Sequence, residues 1–212
     1  MVKIQLMLLL KNDLMKYLFL LFSFCLIGYS NAQLPIEKIG ESRSTQNDFP
    51  NAWAGIYQGT LDIYTDKGLQ QSVAMELEIA PMDNTDRWIW AITYGPDSIA
   101  GRRSYELISV ESEKGHYQID EKNSIILDAF LRGNIFVSRF SVMGNLLDCT
   151  YEKLGDEIIF TIVMGKEAGL SDTGGGVIMG DTIPSVHPYL VGVVQRGKLK
   201  RIREQSSTRH RH

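Results

Sequence analysis

The sequence predicts an all-β chain, a single antiparallel up-and-down β-barrel of about ten strands. Two observations carry that reading. Between Arg87 and Leu131, runs rich in aromatic and β-branched residues (RWIWAITY, RRSYELISV, HYQID, SIILDAFL) alternate with breaks made of Gly, Pro, Asn, Asp or clustered charge. The same rhythm continues upstream to about Ala54 and downstream to about Gly165, with no long amphipathic helical pattern and no internal repeat. Strands at such spacing build a barrel or a two-sheet sandwich, and the unbroken meander is read here as the barrel.

Each strand has a face because side chains alternate across a sheet. Asn51–Tyr64 forms the first strand, with Gly55 and Gly59 where tight curvature needs them. Leu69–Ala80 follows, pointing Met75, Leu77 and Ile79 one way and Glu76 and Glu78 the other. By the same alternation Arg103, Tyr105 and Leu107 point inward against Ser104 and Glu106, and Tyr117, Ile119, Ile125 and Leu127 point inward on the next two strands. Phe136, Ser138 and Phe140 oppose an outward Arg139, and Leu147, Cys149 and Tyr151 oppose Asp148, Thr150 and Glu152. Ile158, Phe160 and Ile162 mark the ninth strand. The pattern then breaks over Leu170–Ser185, a glycine-rich stretch read as a long loop that is either functional or disordered. Val186–Gln195 resumes strand character and is expected to close the barrel against the first strand.

The ends have separate characters. From Met15 the chain carries Lys16, an apolar run and Ser30-Asn31-Ala32, so residues 1–32 read as a secretory signal peptide with the true start expected at Met15. The apolar run is too short to span a bilayer comfortably, and no transmembrane segment is expected in the mature protein. Export to the periplasm or the exterior follows. Residues 33–50 form a lead-in, either loosely ordered or lying over one barrel end; 51–200 is the barrel, and 201–212 a basic tail. Cleavage removes Lys3, Lys11 and Lys16 against Asp13 alone, so the mature body is more acidic than the whole chain, formally −3. An acidic body excludes nucleic acid as a natural partner. Only Cys149 survives cleavage, so the fold has no disulfide framework and depends on its core.

Trp53-Ala54-Gly55-Ile56-Tyr57-Gln58-Gly59 on a first strand, followed by a meander, resembles the calycin group: lipocalins, fatty-acid-binding proteins and haem-binding nitrobindin-like barrels. The resemblance covers residues 51–200 in architecture. It implies that Trp53 plugs one barrel end under a basic residue of the last strand, for which Arg196 and Lys198 are the candidates. The lipocalin Gly before the Trp and the nitrobindin Tyr-Pro are both missing here.

Inward Arg103 with Tyr105 and Tyr117 makes a candidate pocket, because a buried guanidinium needs an anion, from the protein or from an acidic ligand. That set resembles the carboxylate clamp of fatty-acid-binding proteins. The competing reading sends Arg103 to solvent at a strand end. Trp88 and Trp90 share a face with Ile92 and Tyr94 and serve either as a ligand platform or as an aromatic core. The nitrobindin resemblance makes His187 the axial candidate for haem, the one cofactor alternative to none. No His or Cys pair has metal-ligand spacing, and no nucleophile motif or phosphate loop is present.

The chain is therefore expected to be an exported, non-catalytic protein that holds a small apolar or amphipathic ligand, with Arg103, Tyr105, Tyr117, Trp88 and Trp90 lining its cavity. The alternative is a structural or interaction module with a filled core, acting through its outer strands or basic tail.

Overall fold

Alternating side chains and short turns produce the expected closure. The computed structural model describes residues 48–83, 85–96 and 100–202. The signal-peptide segment, most of the lead-in and the tail beyond Ile202 lie outside the described residues. Nine strands run in succession: β1 (Gly55–Thr65), β2 (Gly68–Pro81), β3 (Arg87–Tyr94), β4 (Arg102–Glu111), β5 (His116–Asp120), β6 (Ile126–Arg132), β7 (Ile135–Val142), β8 (Asn145–Leu154) and β9 (Glu157–Lys166). After a long excursion carrying the two-residue strands β10 (Val177–Ile178) and β11 (Asp181–Thr182), β12 (Val193–Arg201) returns between β9 and β1. The result is one closed barrel of ten antiparallel strands. Among the described residues no helix is long and apolar enough to cross a membrane.

The closing strand starts later than the alternation over Val186–Gln195 implies. Val193–Arg201 pairs with both neighbours, whereas residues 186–192 belong to the excursion. Pro188 has no N–H to give a ladder, and Leu190 lies with its carbonyl against Gly165, so pairing begins only past that crossing. Basic residues 196, 198, 200 and 201 are thus ladder residues, and pairing reaches Arg201, the first residue of the segment read as a tail.

Closure needs near backbone approach in one place. A Cβ on Gly59 would lie 2.1 Å from the Lys198 carbonyl oxygen, so only glycine lets β12 seal against β1 there. Met143 (φ 51°) and Gly144 (φ 73°) both take left-handed backbone at the β7–β8 hairpin, the condition of the type I′ turn whose twist suits paired strands.

The glycine-rich stretch is an ordered arm. Thr173 and Val186 exchange backbone hydrogen bonds at 3.0 and 2.8 Å, and Leu170 N–H donates to Pro188 O at 2.8 Å. Its tip residues Val177, Ile178 and Met179 are exposed.

Candidate functional site

The barrel interior has two unlike halves. At the end where β1 begins, apolar and aromatic side chains fill it. Phe49, from the lead-in, enters this end and stands edge-on to Trp53 and to Tyr117, each at 4.9 Å between ring centroids, and 5.0 Å from Phe136. Trp90 and Tyr151 complete the layer at 5.1 Å. These rings are buried, and edge-to-face packing of this kind stabilises beyond the area removed from water, by about 0.5–1.5 kcal/mol per pair. Two hydroxyls tie the plug to the chain: Tyr117 donates to Phe49 O at 3.2 Å and Tyr57 donates to Trp53 O at 2.8 Å. The described part of the lead-in thus lies over one barrel end. The basic cover at that end is neither Arg196 nor Lys198. Lys198 pairs outward with Glu157 at 3.0 Å, and Arg196 faces outward opposite Asp62. Arg201 Nη2 instead donates to Ala54 O at 2.6 Å, and Lys153 Nζ lies 5.5 Å above the Tyr57 ring. Register decides this: Arg201 is opposite Tyr57 at the strand end, four or more residues nearer the plug than Arg196.

The other half is less deeply buried. Tyr94, Tyr105, Leu127, Cys149 and Ile162 project inward and pack on the core, yet each keeps accessible surface, as do Phe140 and Leu147. Residues one step deeper on the same faces, Trp90, Leu107, Tyr151 and Phe160, are buried. This half is the cup of the barrel, bounded below by the Trp90–Tyr151 layer and above by the β3–β4, β5–β6 and β7–β8 turns.

Polar groups gather at the mouth. Burial pushes the Tyr94 and Tyr105 hydroxyls well above the ordinary phenol range, with Glu121 pushing the same way on both and Arg103 opposing. Both are neutral donors at any working pH. Burial also raises the Glu121 carboxyl, against a hydrogen bond from Asn123 Nδ2 at 3.2 Å. Arg103 Nη1 donates to the carbonyls of Ala100 and Arg102, both at 3.1 Å, while its buried Nε has no hydrogen-bond partner. Cys149, on the lumen wall, is pushed up to about 12 by burial, opposed by a hydrogen bond with Tyr151; it is a thiol, not a nucleophile.

The structure separates the residues that the sequence grouped. Arg103 and Tyr105 stand at the mouth, Arg103 opposite Ile92 and Tyr105 opposite Trp90. Tyr117 is opposite Ser109, six places along β4 from Arg103 and so about 20 Å away. It lies in the floor with Trp90, which is fully buried. Trp88 is nearer the closed end, its Nε1 donating to Asn51 Oδ1 at 2.8 Å. His187 is on the arm, 2.5 Å from Asp172 and more than half exposed. Among the described residues no group of three His, Cys, Asp or Glu is placed to hold a metal. Sequence reasoning missed Glu121, which sits in a charged turn and gives no sign that the barrel mouth buries it. Tyr94 carried a usable signal, since alternation already placed it on the Trp88–Trp90 face.

No protein-family model matches the sequence, and no curated protein matches it. Two solved structures are similar in part. One is a protein of unknown function of the DUF3598 family from Nostoc punctiforme, at 10% identity and a TM-score of 0.48 over 74% of this chain. The chain spans about half of that protein, 49% of its length. The other is an S-type phycobiliprotein lyase, CPES, from Guillardia theta, at 9% identity and a TM-score of 0.49, covering 77% of this chain and 96% of that one. The calycin-like form of the barrel rests on its own ten-strand closure.

Proposed function

We propose that this chain is an exported, non-catalytic binding protein that holds one small amphipathic ligand in the cup. The observation that carries the reading is the exposure gradient along single strands, from buried Tyr151 to accessible Cys149 on β8 and from buried Trp90 to accessible Tyr94 on β3. The apolar part of the ligand would rest among Leu127, Phe140, Leu147 and Ile162. Its polar group would meet the Tyr94 and Tyr105 hydroxyls and the Arg103 guanidinium, whose charge favours an anionic group. No cofactor is needed for this role. Trp88, Trp90 and Tyr117 support the floor in this reading and do not touch ligand. Export rests on the leader read in residues 15–32, and amino-terminal sequencing of the protein from cell fractions tests it.

Titration with a fluorescent long-chain polyene acid (cis-parinaric acid) tests the binding role. Saturable binding at one site, weakened about tenfold or more by Arg103→Ala and displaced by unlabelled acid, supports it. Absence of saturable binding, with the fold intact by circular dichroism, rejects it. A second reading, an interaction module, draws on the exposed apolar arm tip, with Met179 fully exposed. Concentration-dependent self-association abolished by Met179→Asp would favour that module.

A further inference from the structure

The barrel wall is incomplete on one side. Strands β6 and β7 pair only at Phe130–Val137, Leu131–Phe136 and Arg132–Ile135. Yet β6 is paired to β5 from Ile126 onward, and β7 to β8 along its whole length. The facing edges, residues 126–129 and 138–142, therefore form no ladder with each other. Backbone groups in a closed sheet are normally all paired, so a run of unpaired edge is a gap in the wall.

The gap has a base, walls and a lip. At its base the Ser138 hydroxyl donates to Asp128 O at 2.8 Å, a side chain replacing the missing ladder bond. Ala129 and Ser138 there are buried. Above them Leu127 and Phe140 face inward and are partly exposed, and Ile126 and Ser141 at the outer lip are exposed. The notch thus widens toward the mouth and opens onto the lumen. Its flanking charges are held away from it: Asp128 by His116 Nε2 at 2.8 Å and Gln118 Nε2 at 3.1 Å on β5, and Arg139 by Asp148 on β8. The side chains that remain at the opening are Ile126, Leu127, Phe140 and Ser141, apolar but for one hydroxyl, between two edges of unpaired backbone.

We propose that the β6–β7 notch is a lateral portal by which a flexible apolar chain enters the lumen, closed below by the Ser138–Asp128 hydrogen bond. This rests on the binding role proposed above. A charged head would cross such an opening at a desolvation cost, so the apolar end passes here while the head stays at the Arg103–Tyr105 mouth.

The test is stopped-flow exchange of cis-parinaric acid on the full chain with Ile126→Cys and Ser141→Cys in a Cys25→Ser, Cys149→Ser background. Continuing the β6–β7 register places those two positions opposite each other. Oxidation is expected to slow association and dissociation alike by about tenfold, leaving affinity nearly unchanged, and reduction to restore both. Ile126→Trp, which blocks the outer lip without a crosslink and lies outside the binding lining, is expected to slow exchange in the same way, and Ser138→Ala to speed it severalfold. Equal exchange rates in bridged and reduced protein that still binds the probe would overturn the portal alone. Loss of binding in every form, the parent included, would remove the cup reading and the portal with it.

Discussion

Cys149 and Tyr151 stand two residues apart on the same inner face of β8, and the deeply buried layer begins between them. Tyr151 is 3% exposed and packs on Trp90, whereas Cys149 retains accessible surface under the open half of the barrel. Aromatic rings from β3, β5, β7, β8 and the lead-in fill the closed half, while the opposite layer mixes Leu127, Leu147, Cys149 and Ile162 with Tyr94, Tyr105 and Phe140, each less deeply buried.

That position sets a reactivity for Cys149. Burial pushes its thiol up to about 12, so at pH 8 the thiolate fraction is about a thousandfold below that of an ordinary cysteine. Iodoacetamide labelling followed by peptide mapping should show Cys149 modified that much more slowly than in urea-unfolded chain. A saturating amphipathic ligand should slow it further. Labelling at the rate of the unfolded chain would mean that the thiol lies in a wet, polar site.

Phe49 is the keystone of the floor. It touches Trp53, Tyr117 and Phe136 from a segment that makes no strand of its own. Phe49→Ala removes a buried ring and leaves a cavity, with an expected loss of about 3–5 kcal/mol in urea unfolding. It should also open the closed end, so that fluorescence of the buried tryptophans becomes quenchable by acrylamide. A loss under about 1 kcal/mol would show that the lead-in does not hold the barrel shut.

The two glutamates Glu121 and Glu106 should give opposite pH dependences. Burial raises the folded-state Glu121 carboxyl, so folding favours its protonated form. Its contribution to stability is present below the ordinary value of 4.5 and is lost as pH rises through the raised value. Glu106 is held low by hydrogen bonds from Lys122 and Arg87, so its contribution is present above 4.5 and lost as pH falls through the depressed value. Calorimetry should therefore find Glu121→Gln more stable than the parent at pH 7, with the difference shrinking toward pH 4. Glu106→Gln should be less stable at pH 7, with its deficit also shrinking in acid. A Glu121→Gln protein less stable than the parent at pH 7 would contradict the mouth electrostatics described here.

Much of this was legible in the sequence, for a physical reason. A half-buried strand must alternate, so the inward sets Arg103-Tyr105-Leu107, Phe136-Ser138-Phe140 and Leu147-Cys149-Tyr151 could be read directly. Which end of the barrel is filled could not, because height along the axis depends on register and stagger, and alternation is blind to both. Tyr117 was grouped with Arg103 for that reason. Phe49 was invisible because its segment has no period, and its burial comes from tertiary placement alone. The closing strand was displaced because apolar Val186–Val194 looks more strand-like than the basic Arg196–Arg201, although the outward lysines and arginines there satisfy alternation around Gly197 and Leu199. The notch is a feature of pairing, which one strand's residues do not encode.

The proposed binding cup is tested most directly by native mass spectrometry of the full chain and its Cys149→Trp variant, each equilibrated with a series of saturated fatty acids. The expected result is one acid per parent chain, with a preference for one length range. The variant should retain none at the same concentration while keeping the parent's β-sheet circular dichroism. Equal retention by a folded Cys149→Trp protein would place the ligand outside the lumen and contradict the cup.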